Sequence, residues 1–129
     1  MSLLPPSLIP DSWRQDVINI LKSGESRLIE WTGRARSDWG VFGISHTAYE
    51  HLIQTLSSPG LIGRQVLFMD GNTEVWEFLC PHPLGIDKPL YAKIGLKEGR
   101  LSIKIFSTHI DLTGQLQAAI QSHHKRRKR

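Results

Sequence analysis

Hydrophobic and polar residues alternate most cleanly over Leu90–His109, LYAKIGLKEGRLSIKIFSTH. Strand side chains point to opposite faces in turn. The segment therefore divides into two strands joined by Glu98-Gly99 as a hairpin loop. With Lys97 opposite Arg100, one face stacks Leu96/Leu101, Ile94/Ile103 and Ala92/Ile105. The other stacks Lys97/Arg100, Gly95/Ser102, Lys93/Lys104 and Tyr91/Phe106. The first face is core. The second is basic, with an aromatic pair at one end and no glutamate interleaved along it. Like charges directly opposite each other are mildly unfavourable, so this face is expected to meet an anion, RNA being the expected one.

Elsewhere the pattern changes period. Pro5, Pro6 and Pro10 forbid a helix over residues 1–10, which read as an extended arm whose Leu3, Leu4, Leu8 and Ile9 can dock on the body. Trp13, Val17, Ile20 and Leu21 then fall on one helical stripe, capped at the start by Asp11 or Ser12 and ended by Ser23-Gly24. Residues 25–43 are ambiguous: SRLIEWT fits a short strand or a helical turn. A second helix is expected from Ser45 to about Leu56, buried along Ala48, Leu52, Ile53 and Leu56, with Thr47 and Glu50 as an alternative capping box. Gln65–Asp70 and Thr73–Leu79 read as strands around a Gly71-Asn72 turn. Leu112–His123 reads as a short amphipathic helix, begun by Asp111 or Thr113. The expected fold is α+β: an antiparallel four-stranded sheet of two sequential hairpins, with helices packed on one face. The other face is left as a working surface.

A length of 129 residues and a hydrophobic share of 40% suit one domain, residues 11–123, between the arm and a basic tail, residues 124–129. The net charge of +4 misdescribes that domain. The last five residues, KRRKR, carry five positive charges, and the remainder holds 11 basic against 12 acidic residues. A single cysteine, Cys80, excludes an internal disulfide and any multi-cysteine zinc site, and fits a reduced cytoplasmic setting. No run approaches the ~18 apolar residues of a membrane span, and the proline-broken start, MSLLPPSLIP, which lacks a positive n-region, is not expected to act as a signal peptide. The Leu/Pro-rich arm is a candidate surface for a homodimer.

The chain has no P-loop, dinucleotide fingerprint, HExxH, nucleophile elbow or ligand-spaced Cys/His set. No cofactor or metal is therefore expected, and His46, His51 and His82 are assigned to structure or surface. Scattered Glu, His, Arg, Lys and Tyr on an open sheet suit RNA cleavage by the neighbouring 2′-hydroxyl. That reaction needs a base, a cation for the phosphorane and an acid for the leaving oxygen. The candidates by residue type are Glu77 or His109 for proton transfer, Arg64, Lys93 and Lys104 for charge, and Tyr91 for stacking or hydrogen bonding. Lys97, Arg100 and Phe106 complete the expected RNA-binding set. Plain structural roles stand beside these. Glu77 could be a carboxylate paired with Arg or Lys, Tyr91 a partner of Phe106, and Arg64 a solvated loop cation. By strict alternation His109 has the core parity of Ile105, so its functional use requires a bulge or strand end near Ser107-Thr108.

Three stretches carry a resemblance: VINILKSGESR; GRARSDWGVFGISHTAYEHLIQTLSS; and VWEFLCP followed by PLYAKIGL and IKIFSTH. Over residues 12–110 the chain resembles the motility quorum-sensing regulator (MqsR) family of toxins, endoribonucleases of RelE/barnase-like architecture. The resemblance implies an mRNA-cleaving toxin held by an antitoxin protein. It also implies that the cleaving residues fall at Arg64, Glu77, Tyr91 and His109. Glu77, directly after Trp76, stands where the family has glutamine, and His109 is reached across a small insertion. A noncatalytic RNA- or protein-binding module using the hairpin face and the tail is the alternative.

Overall fold

The computed structural model describes residues 5–33, 36–37, 46–67, 73–81, 90–97, 99–110 and 115–127, with only the backbone described at 46–48, 107–110, 115 and 123–127. Two strands precede the four that were expected: β1 (Ser7–Leu8) and β2 (Ile29–Trp31). β3 (Ile62–Val66), β4 (Glu74–Cys80), β5 (Leu90–Leu96) and β6 (Ile103–Ile110) follow. Helices α1 (Asp11–Ser23), α2 (His46–Leu56) and α3 (Gln115–Arg127) accompany them. The fold is α+β, but its sheet is six-stranded and mixed rather than four-stranded and antiparallel, in the order β1-β3-β4-β5-β6-β2. The two sequential hairpins form its centre. β1 adds antiparallel to β3, while β2 adds parallel to β6.

Local chemistry explains most boundaries. The α1 stripe buries Trp13, Val17, Ile20 and Leu21, and the helix ends on Gly24 at φ 64°, a conformation that glycine adopts without penalty. Its N-cap is Pro10, without a side-chain cap bond, rather than Asp11 or Ser12. Asp11 instead pairs with Arg14. The Arg14 guanidinium donates to the carbonyls of Leu56 (2.8 Å) and Ser58 (2.9 Å), satisfying acceptors at the end of α2. Leu52 and Leu56 of α2 are fully buried, and Thr47, expected as a cap, lies within the helix. Ser45, Gly71 and Asn72 lie outside the described residues.

One face of the sheet and the helices α1 and α2 enclose the core. Trp76, Phe78 and Cys80 of β4 join Leu90, Ala92, Ile94 and Leu96 of β5 and Ile103 and Ile105 of β6. The arm docks through Ile9, which is buried, whereas Leu8 is exposed; Leu3 and Leu4 lie outside the described residues. Gly63 makes room for Ile9, since a Cβ there would stand 2.7 Å from the Ile9 side chain and 2.5 Å from the Glu77 carbonyl. The segment SRLIEWT is resolved as a 3-10 turn (Ser26–Leu28) leading into β2. Ile29 and Trp31 point into the core and Glu30 points out. The Trp31 ring stacks on Tyr49 of α2 at 6.0 Å. α3 lies against β4, with Leu116 buried outside the main cluster. Its described part runs from Gln115 through Arg127, so residues 124–127 of the expected tail are helical, while Leu112 lies outside the described residues. Among the described residues, no helix is long and apolar enough to cross a membrane.

The central hairpin keeps its two faces but not its register. Leu96 pairs with Ile103 and Ile94 with Ile105, two residues further along β6 than a Glu98-Gly99 turn would set. The Lys97 N–H bonds the Ser102 carbonyl at 3.0 Å, and the connection passes through left-handed Gly99 (φ 86°) and Arg100 (φ 59°). A slip of two preserves parity, so Ile103 and Ile105 stay in the core while Leu101 is exposed in the loop. Beyond Ile105 the ladder shifts again: Lys93 pairs with Ser107, Ala92 with Thr108 and Tyr91 with His109. Phe106 is the extra residue of this bulge. Thr32, just past β2, donates from its hydroxyl to the Phe106 carbonyl at 2.7 Å.

Candidate active site on the second sheet face

Three rows of residues cross the second face. The first runs Arg64, Glu77, Lys93, Ser107; the second runs Leu79, Tyr91, His109; the third runs Val75, Gly95, Lys104, Glu30. In the first row the Arg64 Nε donates to Glu77 Oε1 at 2.5 Å. Tyr91, diagonal to Glu77 in the ladder, donates its hydroxyl to Glu77 Oε2. Both carboxylate oxygens therefore hold a donor. The pair is enclosed, with side-chain exposures of 12% for Arg64 and 8% for Glu77. Removal from water strengthens the attraction between these charges and makes either one costly to leave alone.

Three of the four expected catalytic positions thus meet at one carboxylate. The fourth, His109, pairs with Tyr91 through the backbone, and its side chain lies outside the described residues. The Phe106 bulge moves it there by reversing the parity of β6 after Ile105. Arg64 is not a loop cation but a strand residue directly opposite Glu77. Lys93 is the partner of Glu77 on the other side.

The expected basic stripe is different in composition. Lys93 and Lys104 do not face each other, and Tyr91 does not face Phe106. The Phe106 ring lies across Gly95, where a Cβ would stand 2.9 Å from Phe106 Cε2. Both lysine ammonium groups reach that ring, Lys93 at 5.5 Å and Lys104 at 5.3 Å from its centroid. Nor is the face free of glutamate. Glu30, beside Lys104 in the parallel β2–β6 ladder, accepts from Lys97 at 2.8 Å and lies 3.3 Å from Lys104. Arg100 pairs with Asp16 of α1 at 2.5 Å and lies 3.6 Å from Glu74. Three of the five expected RNA-binding residues are therefore paired with acids from elements distant in sequence, Lys97 and Lys104 sharing the one carboxylate of Glu30. Glu30 and Asp16 were missed. The alternation Ile29-Glu30-Trp31 was the available signal for Glu30, because it marks a strand with one outward carboxylate.

The Lys97 and Lys104 ammonium groups hold the Glu30 carboxyl below the ordinary carboxylate range. A carboxyl with a depressed folded-state pKa stabilises the fold above its unfolded pKa, and this stabilisation is lost as pH falls through the folded value. Glu30→Gln should therefore lower stability near neutral pH by no more than about 1 kcal/mol, as expected of a half-exposed pair. The difference from wild type should vanish in acid and shrink in high salt; urea melts across pH give both readouts.

Cys80 is fully buried, and burial pushes its thiol up to about 12, so it is no thiolate nucleophile at neutral pH. Among the described residues, no group of three or more His, Cys, Asp or Glu is placed to hold a metal ion. Compared with known proteins, the chain matches no family model, no curated protein and no solved structure.

Proposed function

We propose that the protein is a metal-independent endoribonuclease of the toxin–antitoxin kind, working on the second sheet face. The observation that carries this reading is the convergence of Arg64 and Tyr91 on the Glu77 carboxylate, with His109 the ladder partner of Tyr91. In this scheme the substrate's 2′-hydroxyl takes the place of the Tyr91 hydroxyl at Glu77 Oε2 and gives up its proton there. The 2′-oxygen attacks phosphorus while Arg64 and Lys93 balance charge on the phosphorane. The bond to the 5′-oxygen breaks, and His109 protonates that oxygen. The products are a 2′,3′-cyclic phosphate and a 5′-hydroxyl. The Phe106 ring between two lysines supplies a surface on which a base can stack.

A second reading, a noncatalytic binding module, is favoured by the burial of Glu77 and the donors on both its oxygens. The two are separated by incubating purified protein with RNA in a chelator and mapping the ends. Cyclic-phosphate ends that diminish with His109→Ala and Glu77→Gln are expected. RNA left intact, or cut equally by those variants, overturns the nuclease. The antitoxin is tested by growth arrest on expression and its relief by a co-expressed partner.

A further inference from the structure

The hairpin was expected to supply the anion-binding charge, yet Lys97, Arg100 and Lys104 are paired with Glu30, Asp16 and Glu74. The net positive charge must reside elsewhere. Without its last five residues the chain has one more acid than base. The C-terminal run carries the difference: in the sequence no acidic residue follows Asp111, Lys125, Arg126 and Arg127 lie in α3, and Lys128 and Arg129 are the next residues of the chain. The helix is anchored near its start, where Leu116 is buried and α3 lies against β4. At 1.5 Å per residue its charged end stands about 16 Å along the axis from that anchor. One or two cations suit the negative end of a helix dipole; five consecutive ones exceed that need.

We infer that the C-terminal end of α3 is a phosphate-backbone grip, binding single-stranded RNA at nucleotides outside the cleavage site. This inference rests on the nuclease reading for the role of the second sheet face. The grip itself is separable, since it concerns binding. RNA is favoured over an acidic protein because the final five residues, KRRKR, are all cations, with no Phe, Tyr, Trp or branched aliphatic residue among them. A polyphosphate chain requires no more. The interaction is uniform in the ground and transition states, so it acts on KM and leaves kcat alone.

The test is the triple substitution Lys125→Gln, Arg126→Gln and Arg127→Gln in the full chain, with the fold checked by circular dichroism. Binding of a labelled, uncleavable 2′-O-methyl RNA oligonucleotide is followed by anisotropy across a salt series. Removing three phosphate contacts should lower the slope of log K against log salt by about 2. On cleavable RNA the same variant should raise KM at least tenfold, with kcat and dinucleotide cleavage unchanged. An unchanged salt slope overturns the grip, as does a wild-type chain that fails to bind the oligonucleotide. Equal binding of poly-glutamate overturns RNA as the partner. Normal slope loss with no cleavage by the wild type sinks the nuclease and leaves the grip standing.

Discussion

Glu77→Ala should cost about 3–5 kcal/mol of folding stability, far more than truncation of a surface glutamate, because it leaves a buried charge without its partner. The Arg64 side chain is 12% exposed, and its Nε donates to the carboxylate that the substitution removes. Tyr91 loses the same acceptor. Glu77→Gln should cost less, since an amide oxygen still accepts one of these bonds while the charge is lost. The double substitution Arg64→Met with Glu77→Leu should recover most of the loss, because a buried ion pair replaced by apolar groups of similar size is often neutral or better. Urea unfolding with an unchanged m-value measures all three. A loss below about 1 kcal/mol for Glu77→Ala would place the pair among solvent-screened surface bridges, contrary to its burial.

The same carboxylate therefore serves stability and, in the proposed reaction, proton transfer. Those roles conflict. A base must shed a donor before it can take a proton, and Glu77 holds two. Arg64 sits directly across the ladder, whereas Tyr91 reaches the carboxylate along a diagonal at the edge of the enclosed pair. Tyr91 is the donor that a substrate hydroxyl would displace. An amide at position 77 would accept from either donor but could not take the proton.

The elements built from local pattern were legible, and those built from distant pairing were not. α1 from Trp13 to Leu21, its Gly24 stop and the order of β3 to β6 follow from periodicity and turn residues close in the chain. β1 is two residues beside prolines, and β2 is three residues whose partner strand arrives more than seventy positions later. β1 carries no pattern of its own, and the Ile29-Glu30-Trp31 alternation allows a strand without naming its partner. The hairpin register failed for a related reason. Parity is set by the side chains, but a shift of two changes no residue's face, so Leu96 could face Leu101 or Ile103 with equal hydrophobic logic.

The site divides along the same line. Arg64, Glu77 and Tyr91 were selected by residue type and motif, and they meet. The bulge that brings His109 opposite Tyr91 was identified as a requirement, and it occurs at Phe106. The charge balance was not legible in the hairpin, because the acids that pair with Lys97, Arg100 and Lys104 lie outside it. A central strand has neighbours on both sides, and Glu30 and Glu77 come from those neighbours. Charge patterning along a single strand therefore says little about the charge of a sheet face.

Trp13→Ala should be comparably damaging, at about 3–5 kcal/mol, through lost burial and an imperfectly collapsed cavity. Trp13 is fully buried in α1, and its Nε1 donates to the Glu74 carbonyl at 3.0 Å, tying the helix to the start of β4. Glu74 gathers further bonds: its Oε2 accepts from Trp76 Nε1 at 3.0 Å, and Arg100 lies 3.6 Å from Oε1. Trp13→Phe retains most of the apolar contact but removes the donor, and should cost about 1–3 kcal/mol for an unsatisfied buried carbonyl. Because a domain of this size has only about 5–15 kcal/mol in total, the alanine variant should be partly unfolded at physiological temperature, while the phenylalanine variant stays folded. The Trp13 ring lies on the helix side of the sheet, opposite Glu77. Trp13→Phe should therefore lower the midpoint of urea unfolding and leave any RNA cleavage rate unchanged below that midpoint. Loss of cleavage in the folded Trp13→Phe protein would mean that the two faces of β4 are coupled, and that the site depends on how α1 sets the strand.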